Sequence, residues 1–335
     1  MPRLEHLMLV GRHAYCLGMD RIWTVARVLA ALEQVPGDPT DLTMLLRDPI
    51  ERQALIGAED GPDQAWSSAL QSAVSGARTD LGRFLVEHAD HGRVETWVKV
   101  VERGINEGRF MPMILGWSEY PGRLAQASDA PPLLFRRIGD NGQVGWSTQR
   151  PGVPTDDTSE RAVAIVGARQ TTPAVLAATA EVAAALGRHG IRIVSGLAAG
   201  VDTAAHKGAL EVGAVTTAVM GTGVDHVFPR ENGPLAEEIA CRGVVLSQFA
   251  PPAPRTGTTF LRRNCVIAAL SDASIVMDAG EQSGSRHELE QAIRYGKHVF
   301  MWRPTLGQAA WARALEQVGV ASFVESAEEV LARLG

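Results

Sequence analysis

Arg161-Ala-Val-Ala-Ile-Val-Gly-Ala-Arg169 decides how this chain is read. It is a short, β-branched apolar run that stops abruptly in glycine and a cation, and the pattern recurs. Ile191-Arg-Ile-Val-Ser-Gly196, Val215-Thr-Thr-Ala-Val-Met-Gly221, Val244-Val-Leu-Ser247, Ala273-Ser-Ile-Val-Met-Asp278 and His298-Val-Phe-Met301 alternate with Ala-rich helical segments. Runs this short cannot be core helices, and they lack the polar alternation of a half-exposed strand, so they predict strands buried on both faces. Strand and helix in alternation predict an α/β domain with a parallel sheet, whose strand ends build a phosphate-binding crevice.

Composition bounds the rest. The 335 residues leave room for two domains and an ample core. A net charge of −6 excludes a global basic field, so binding to nucleic acid requires a local patch. Met1-Pro-Arg-Leu-Glu-His6 lacks the apolar core of a signal peptide, and no run of about 18 apolar residues occurs, which predicts a cytoplasmic protein without membrane contact. Cys16, Cys241 and Cys265 are scattered and fit neither a disulfide framework nor a metal motif, so they read as small, partly buried side chains.

Outward from the sheet, residues 1–115 read as a helical N-terminal module. Ile22, Val25, Ala26, Leu29 and Leu32 share one face, and the pattern stops at Pro36-Gly37-Asp38-Pro39. Further helices are predicted over 43–55, 65–77, 80–88 and 95–107. His88 and His91 lie near Asp90 without a third ligand, and no metal is expected. Residues 116–160 read as a linker and pre-sheet segment. It holds a possible edge strand reaching Phe135, a turn at Asp140-Asn-Gly142 and an exposed, mobile stretch over 149–160. Residues 161–335 form the sheet domain, ending in helices over 307–318 and 326–334 with a short strand at 320–324.

The strand ends carry the candidate site. Gly167-Ala-Arg169 precedes a helix opened by Thr171-Thr-Pro173, and a helix start of this kind offers unpaired N–H groups to an anion. Ser195-Gly196 leads to Gly200, Asp202, His206 and Lys207, where Asp202 and His206 sit four apart. They read as a helix-start carboxylate and its hydrogen-bonded histidine, with direct chemistry as the other reading. Gly221 and Gly223 make another glycine turn. From Ser247 to Asn264 there are three arginines and no acid, and Arg262-Arg263-Asn264 is placed to hold phosphate. Ser283-Gly284-Ser285 is a phosphate cradle before the next helix, and Glu288 follows as a helix-start carboxylate or a contact to ribose or water. Gly-x-Gly-x-x-Gly is absent, so NAD and FAD are not supported, and no cofactor or metal is expected.

These motifs, in order, resemble the DprA/Smf family of DNA-processing proteins: Val166-Gly-Ala-Arg169, Ser195-Gly-Leu-Ala-Ala-Gly-Val-Asp202, Ala205-His206-x-Gly-Ala-Leu210, Gly223-Val-Asp225, Phe228-Pro229, Phe260-x-x-Arg263-Asn264 and Ser283-Gly-Ser285. The resemblance covers roughly residues 115–325. It implies an extended Rossmann-like, doubly wound, mostly parallel sheet in a homodimer that binds single-stranded DNA and loads a RecA-type recombinase in natural transformation. Arg169, Arg262 and Arg263 would contact phosphates, the Ser195-Gly196, Gly221–Gly223 and Ser283-Gly284-Ser285 turns would line the pocket, and Lys207 is a further candidate. The family's Thr-Ala after Ser-Gly-Ser is replaced here by Glu288-Leu289. That departure is similar to LOG-type nucleotide phosphoribohydrolases of the same superfamily, in which Arg263 and Glu288 would be the catalytic pair for N-glycosidic cleavage. Nucleotide sensing without catalysis is a third alternative.

Overall fold

A computed structural model describes residues 19–34, 91–117, 119–140 and 161–334. The readings made for 43–55, 65–77, 80–88, 149–160, His88, Cys16 and Asn141-Gly142 fall outside those residues. The chain divides into two compact units, residues 1–121 with 125–138, and residues 122–124 with 139–335. Among the described residues no helix is long and apolar enough to cross a membrane.

In the first unit, helix α1 (Met19–Gln34) buries Ile22, Val25, Ala26 and Leu29, the face read from the sequence. It packs on α2 (His91–Asn106), which buries Val94, Trp97, Val98, Val101 and Ile105 at helical spacing. Gly108, at φ +67°, ends α2 as a left-handed turn residue, and the Arg109 N–H closes the last turn on the Gly104 carbonyl at 2.9 Å. Strand β1 (Phe110–Ile114) then pairs antiparallel with β2 (Leu133–Arg137). β2 contains the run reaching Phe135, whereas β1 corrects the reading of 1–115 as helical. Pro112 has no N–H for a helical bond and is tolerated in a strand of this kind. The Phe110 ring meets Phe135 edge-on at 5.4 Å and presses on Gly104, tying α2 to the ladder.

The second unit holds seven parallel strands: β3 (Ala162–Val166), β4 (Arg192–Ser195), β5 (Thr216–Met220), β6 (Val244–Ser247), β7 (Ala273–Val276), β8 (His298–Trp302) and β9 (Ser322–Val324). Their pairings give the order β6-β5-β4-β3-β7-β8-β9. Starting at β3, the chain winds outward to β6, then crosses back to lay β7 against the other side of β3. That reversal is where a doubly wound sheet leaves a crevice at its carboxyl edge. Every residue of β3 to β7 is buried, as expected of a sheet covered on both faces.

Helices α3 (Pro173–Arg188), α4 (Val201–Glu211), α5 (Gly233–Arg242), α6 (Gly257–Ala269), α7 (Gly284–Arg294), α8 (Ala310–Gln317) and α9 (Ala327–Leu334) supply the cover. One core packs Val163, Ile165, Ile193 and Ile275 against Val182 and Leu186 of α3, Ala205 of α4 and Val330 of α9. A second packs Ala218, Met220 and Val245 against Leu210, Leu235 and Ile239. α3 starts as read, with Thr172 capping the Val175 N–H ahead of Pro173. α5 is an element the sequence did not announce. α6 begins well before Arg263, because Thr256 and Thr259 form a capping box across its first turn.

Candidate functional site

The carboxyl ends of β3 and β4, the turn after β7, and the first turns of α6 and α7 enclose a cavity of about 610 Å³. Gly167, Arg169, Arg263, Asn264, Ser283, Gly284, Ser285 and Glu288 all line it, from segments up to 121 residues apart in the chain. Ser195, Gly196, Gly221, Gly223, Arg262 and Lys207 are not among its lining residues. Ser195 is buried behind the wall and donates its hydroxyl to the Ile165 carbonyl at 2.6 Å. Gly221 backs onto the Phe260 ring, and the Gly223 N–H is bonded to the Ala253 carbonyl at 2.9 Å. Lys207 stands exposed on α4, and Arg262 is half-buried on α6.

The inner wall is built around Arg263, which is 5% exposed. Its Nη1 donates to the carbonyls of Gly196 and of Val219, the latter at 2.6 Å, and its Nε donates to Asn264 Oδ1 at 3.2 Å. The guanidinium read from sequence as a phosphate fork thus also pins the ends of β4 and β5. Gly196 is required here because a Cβ would overlap that guanidinium. The next residue, Leu197, is held at φ +58°, a left-handed conformation that costs a non-glycine residue about 1–2 kcal/mol. Asn232, which sequence reasoning missed, holds this turn by donating from Nδ2 to the Leu197 carbonyl and to Thr203 Oγ1, both at 2.9 Å. A carboxamide tethering a strained turn leaves no motif, since its partners lie about 30 residues away in the chain.

Asp202 accepts from the Ala198 N–H at 3.3 Å, and burial pushes its carboxyl above the ordinary range, with Arg263 pulling the other way. His206 does not pair with Asp202. Its Nδ1 lies 2.7 Å from Thr216 Oγ1, which spends its own proton on the Ile193 carbonyl, so His206 is the Nδ1–H donor. Burial, then the charge of Arg263, pushes this histidine down to about 3, so it is a neutral core residue.

Glu288 is fully buried yet lines the cavity. Ser274 donates to its Oε1 at 2.7 Å, while Oε2 has no hydrogen-bond partner among the described residues. Burial raises its pKa to about 7; Ser274 and Arg263 oppose the rise, and Asp202 adds to it. Above it, Ser283 caps α7 by accepting from the Arg286 N–H at 3.3 Å, and the Ser283 carbonyl takes the His287 N–H. Those bonds leave the N–H groups of Gly284 and Ser285 as the open donors of the first turn. Asn264 braces that turn by donating to the Gly284 carbonyl at 2.9 Å.

The outer rim has another character. Arg169 is exposed and forms no hydrogen bond or ion pair among the described residues; its guanidinium lies 4.7 Å from the centroid of the Phe260 ring. Phe260 meets Phe228 edge-on at 6.1 Å, and the exposed Arg255 sits 4.6 Å from the Phe228 centroid. The four groups therefore form one continuous row, two rings side by side with an arginine at each end, each contact within cation–π or aromatic-pair range. Phe228, Arg255 and Phe260 were not among the site residues read from the sequence; the mix of phenylalanine and arginine in the basic loop was a signal for Arg255 and Phe260, whereas Phe228 lies outside that loop.

Helix N-termini at the switch point of a parallel sheet define a Rossmann-like protein. The chain belongs to the DNA recombination-mediator protein A family, whose model matches residues 113–335. It is 34% identical over 219 residues to the Smf protein of Synechocystis sp., covering 65% of this chain and 52% of that relative, so it spans about half the relative's length. The X-ray structure of DNA processing protein A from Streptococcus pneumoniae superposes with a TM-score of 0.62 at 28% identity, covering 87% of this chain and 95% of that one. A Helicobacter pylori DNA processing protein A structure, described for its single-stranded DNA binding mode, superposes with a TM-score of 0.55 at 27% identity, covering 67% of this chain and 95% of that one.

Proposed function

We propose that this chain binds single-stranded DNA without catalysis, the rim receiving bases on its aromatic rings and the cavity receiving backbone phosphate. The observation that carries the reading is the Arg255–Phe228–Phe260–Arg169 row, because aromatic rings flanked by cations suit unpaired bases of any sequence. Arg169, with no hydrogen bond or ion pair among the described residues, is the phosphate contact at the mouth; the Gly284 and Ser285 amides are the contacts within. The structure of the Helicobacter pylori relative, described for its binding to single-stranded DNA, supports the assignment. On this reading the protein acts as a cytoplasmic homodimer that passes the strand to a RecA-type recombinase during natural transformation, a role supported by membership of a recombination-mediator family.

The test is a competition in which single-stranded DNA, duplex and nucleoside monophosphates displace one fluorescent oligothymidylate. Single strand is expected to displace it at the lowest concentration, with affinity falling steeply as salt rises because counterions are released. Equal displacement by duplex would remove the stacking argument, and displacement by mononucleotide alone would favour nucleotide sensing.

A further inference from the structure

Glu288 is out of place in an anion site. A carboxylate lining a phosphate-binding cavity repels its ligand, yet this one is buried, lines the cavity beside the Gly284-Ser285 turn, and keeps one oxygen unpartnered. A buried polar atom without a partner costs stability unless something else satisfies it. We propose that Glu288 contacts the bound strand as a carboxylic acid, donating from Oε2 to a phosphate or sugar oxygen, so that strand and proton bind together. This inference rests on the strand-binding reading of the same cavity and adds a regulatory property to it.

The surroundings favour the protonated form. From α4, Asp202 faces Glu288 with like charge; from α6, Arg263 opposes it, but Arg263 Nη1 is already committed to two carbonyls. β7 contributes only the Ser274 hydroxyl, which occupies Oε1. Next to β7, Asp278 accepts from Thr171 at 2.5 Å. At the start of β8, Lys297 is coupled to Asp272 and Arg123. On α7 itself, half-buried His287 is lowered by burial and Arg294 and raised by Glu290. Arg169 lines the same cavity only at its exposed mouth, and Arg263 opposes the rise without cancelling it, so burial raises Glu288 to about 7, and an incoming phosphate would raise it further. A neutral acid then serves as a donor where an ionised one would exclude the ligand. No bond is broken: one solvent proton is taken up on binding and released on dissociation.

The experiment measures oligothymidylate affinity by fluorescence anisotropy between pH 6 and pH 8.5 at constant ionic strength, for the full chain and for Glu288→Gln. Gln keeps the acceptor for Ser274 and a neutral donor at the Oε2 position. The unmodified chain is expected to weaken by up to about tenfold per pH unit above pH 7, as linkage to one proton requires, while Glu288→Gln stays within about twofold across the range. Calorimetry of the unmodified chain at pH 7.5, in two buffers of different ionisation enthalpy, should show net proton uptake on binding. A flat profile for the unmodified chain, no proton uptake, or an equal decline in Glu288→Gln overturns the inference and leaves strand binding standing. Absence of binding at every pH overturns strand binding and this inference together.

Discussion

Two arginines in one cavity do opposite work. Arg169 at the mouth is exposed, carries no hydrogen bond among the described residues and lies over a ring, whereas Arg263 in the wall is buried and donates to the Gly196 and Val219 carbonyls. The same guanidinium is thus open to solvent in one place and a structural clamp in the other. What separates them is burial: a charge out of water must be fully answered by protein groups, and a charge in water is free to meet a ligand. The mouth is therefore expected to determine affinity, and the wall to determine folding.

Arg263→Ala should break this contrast most severely. It strands two buried carbonyls and removes the cation facing Asp202, for an expected loss of about 3–5 kcal/mol in urea unfolding. Glu288→Gln sharpens the contrast through pH. Because burial raises the folded pKa of Glu288 from 4.5 to about 7, the folded protein holds a proton that the unfolded chain has already released between those values. Its contribution to stability is present below about pH 4.5 and lost as pH climbs to about 7, so the variant should gain about 3 kcal/mol relative to the unmodified protein between pH 4 and pH 8. Gly196→Ala forces a methyl group into the Arg263 guanidinium and should cost about 1–3 kcal/mol. Arg169→Ala should leave stability within about 0.5 kcal/mol, as for exposed substitutions generally, while reducing the salt dependence of strand binding by about one counterion.

The strands were legible because a parallel sheet buried on both faces leaves unbroken runs such as Ala162–Val166, each closed by a turn residue. That the ends of β3 and β4 and the turn after β7 share one edge was legible too, since alternating strand and helix dictate it, whereas the exclusion of Gly221 and Gly223 from the cavity was not. The division of labour was not. Arg263 finds its acceptors 67 and 44 residues away, and adjacent arginines in a basic loop look alike until burial separates them. His206 is similar: its spacing from Asp202 suggested a helical pair, but its partner is Thr216 on the neighbouring strand. β1 was hidden by its shortness and by the helix directly before it. α5 opens with Gly233-Pro234, and two such residues in succession conceal a helix start from pattern reading. The rim row joins Phe228 to Phe260 across 32 residues, so only the fold brings the rings together.

The most direct test removes the two groups at the mouth, the Phe260 ring and the Arg169 guanidinium. A chain carrying Phe260→Ala with Arg169→Ala is titrated with fluorescent oligothymidylate beside the unmodified protein, with thermal unfolding and far-ultraviolet circular dichroism on the same samples. Loss of a stacking ring and a phosphate contact predicts a folded protein whose affinity falls by roughly 30-fold or more, since stacking alone is worth about 1–3 kcal/mol per base. A folded double variant that binds the oligonucleotide as tightly as the unmodified chain would contradict the account.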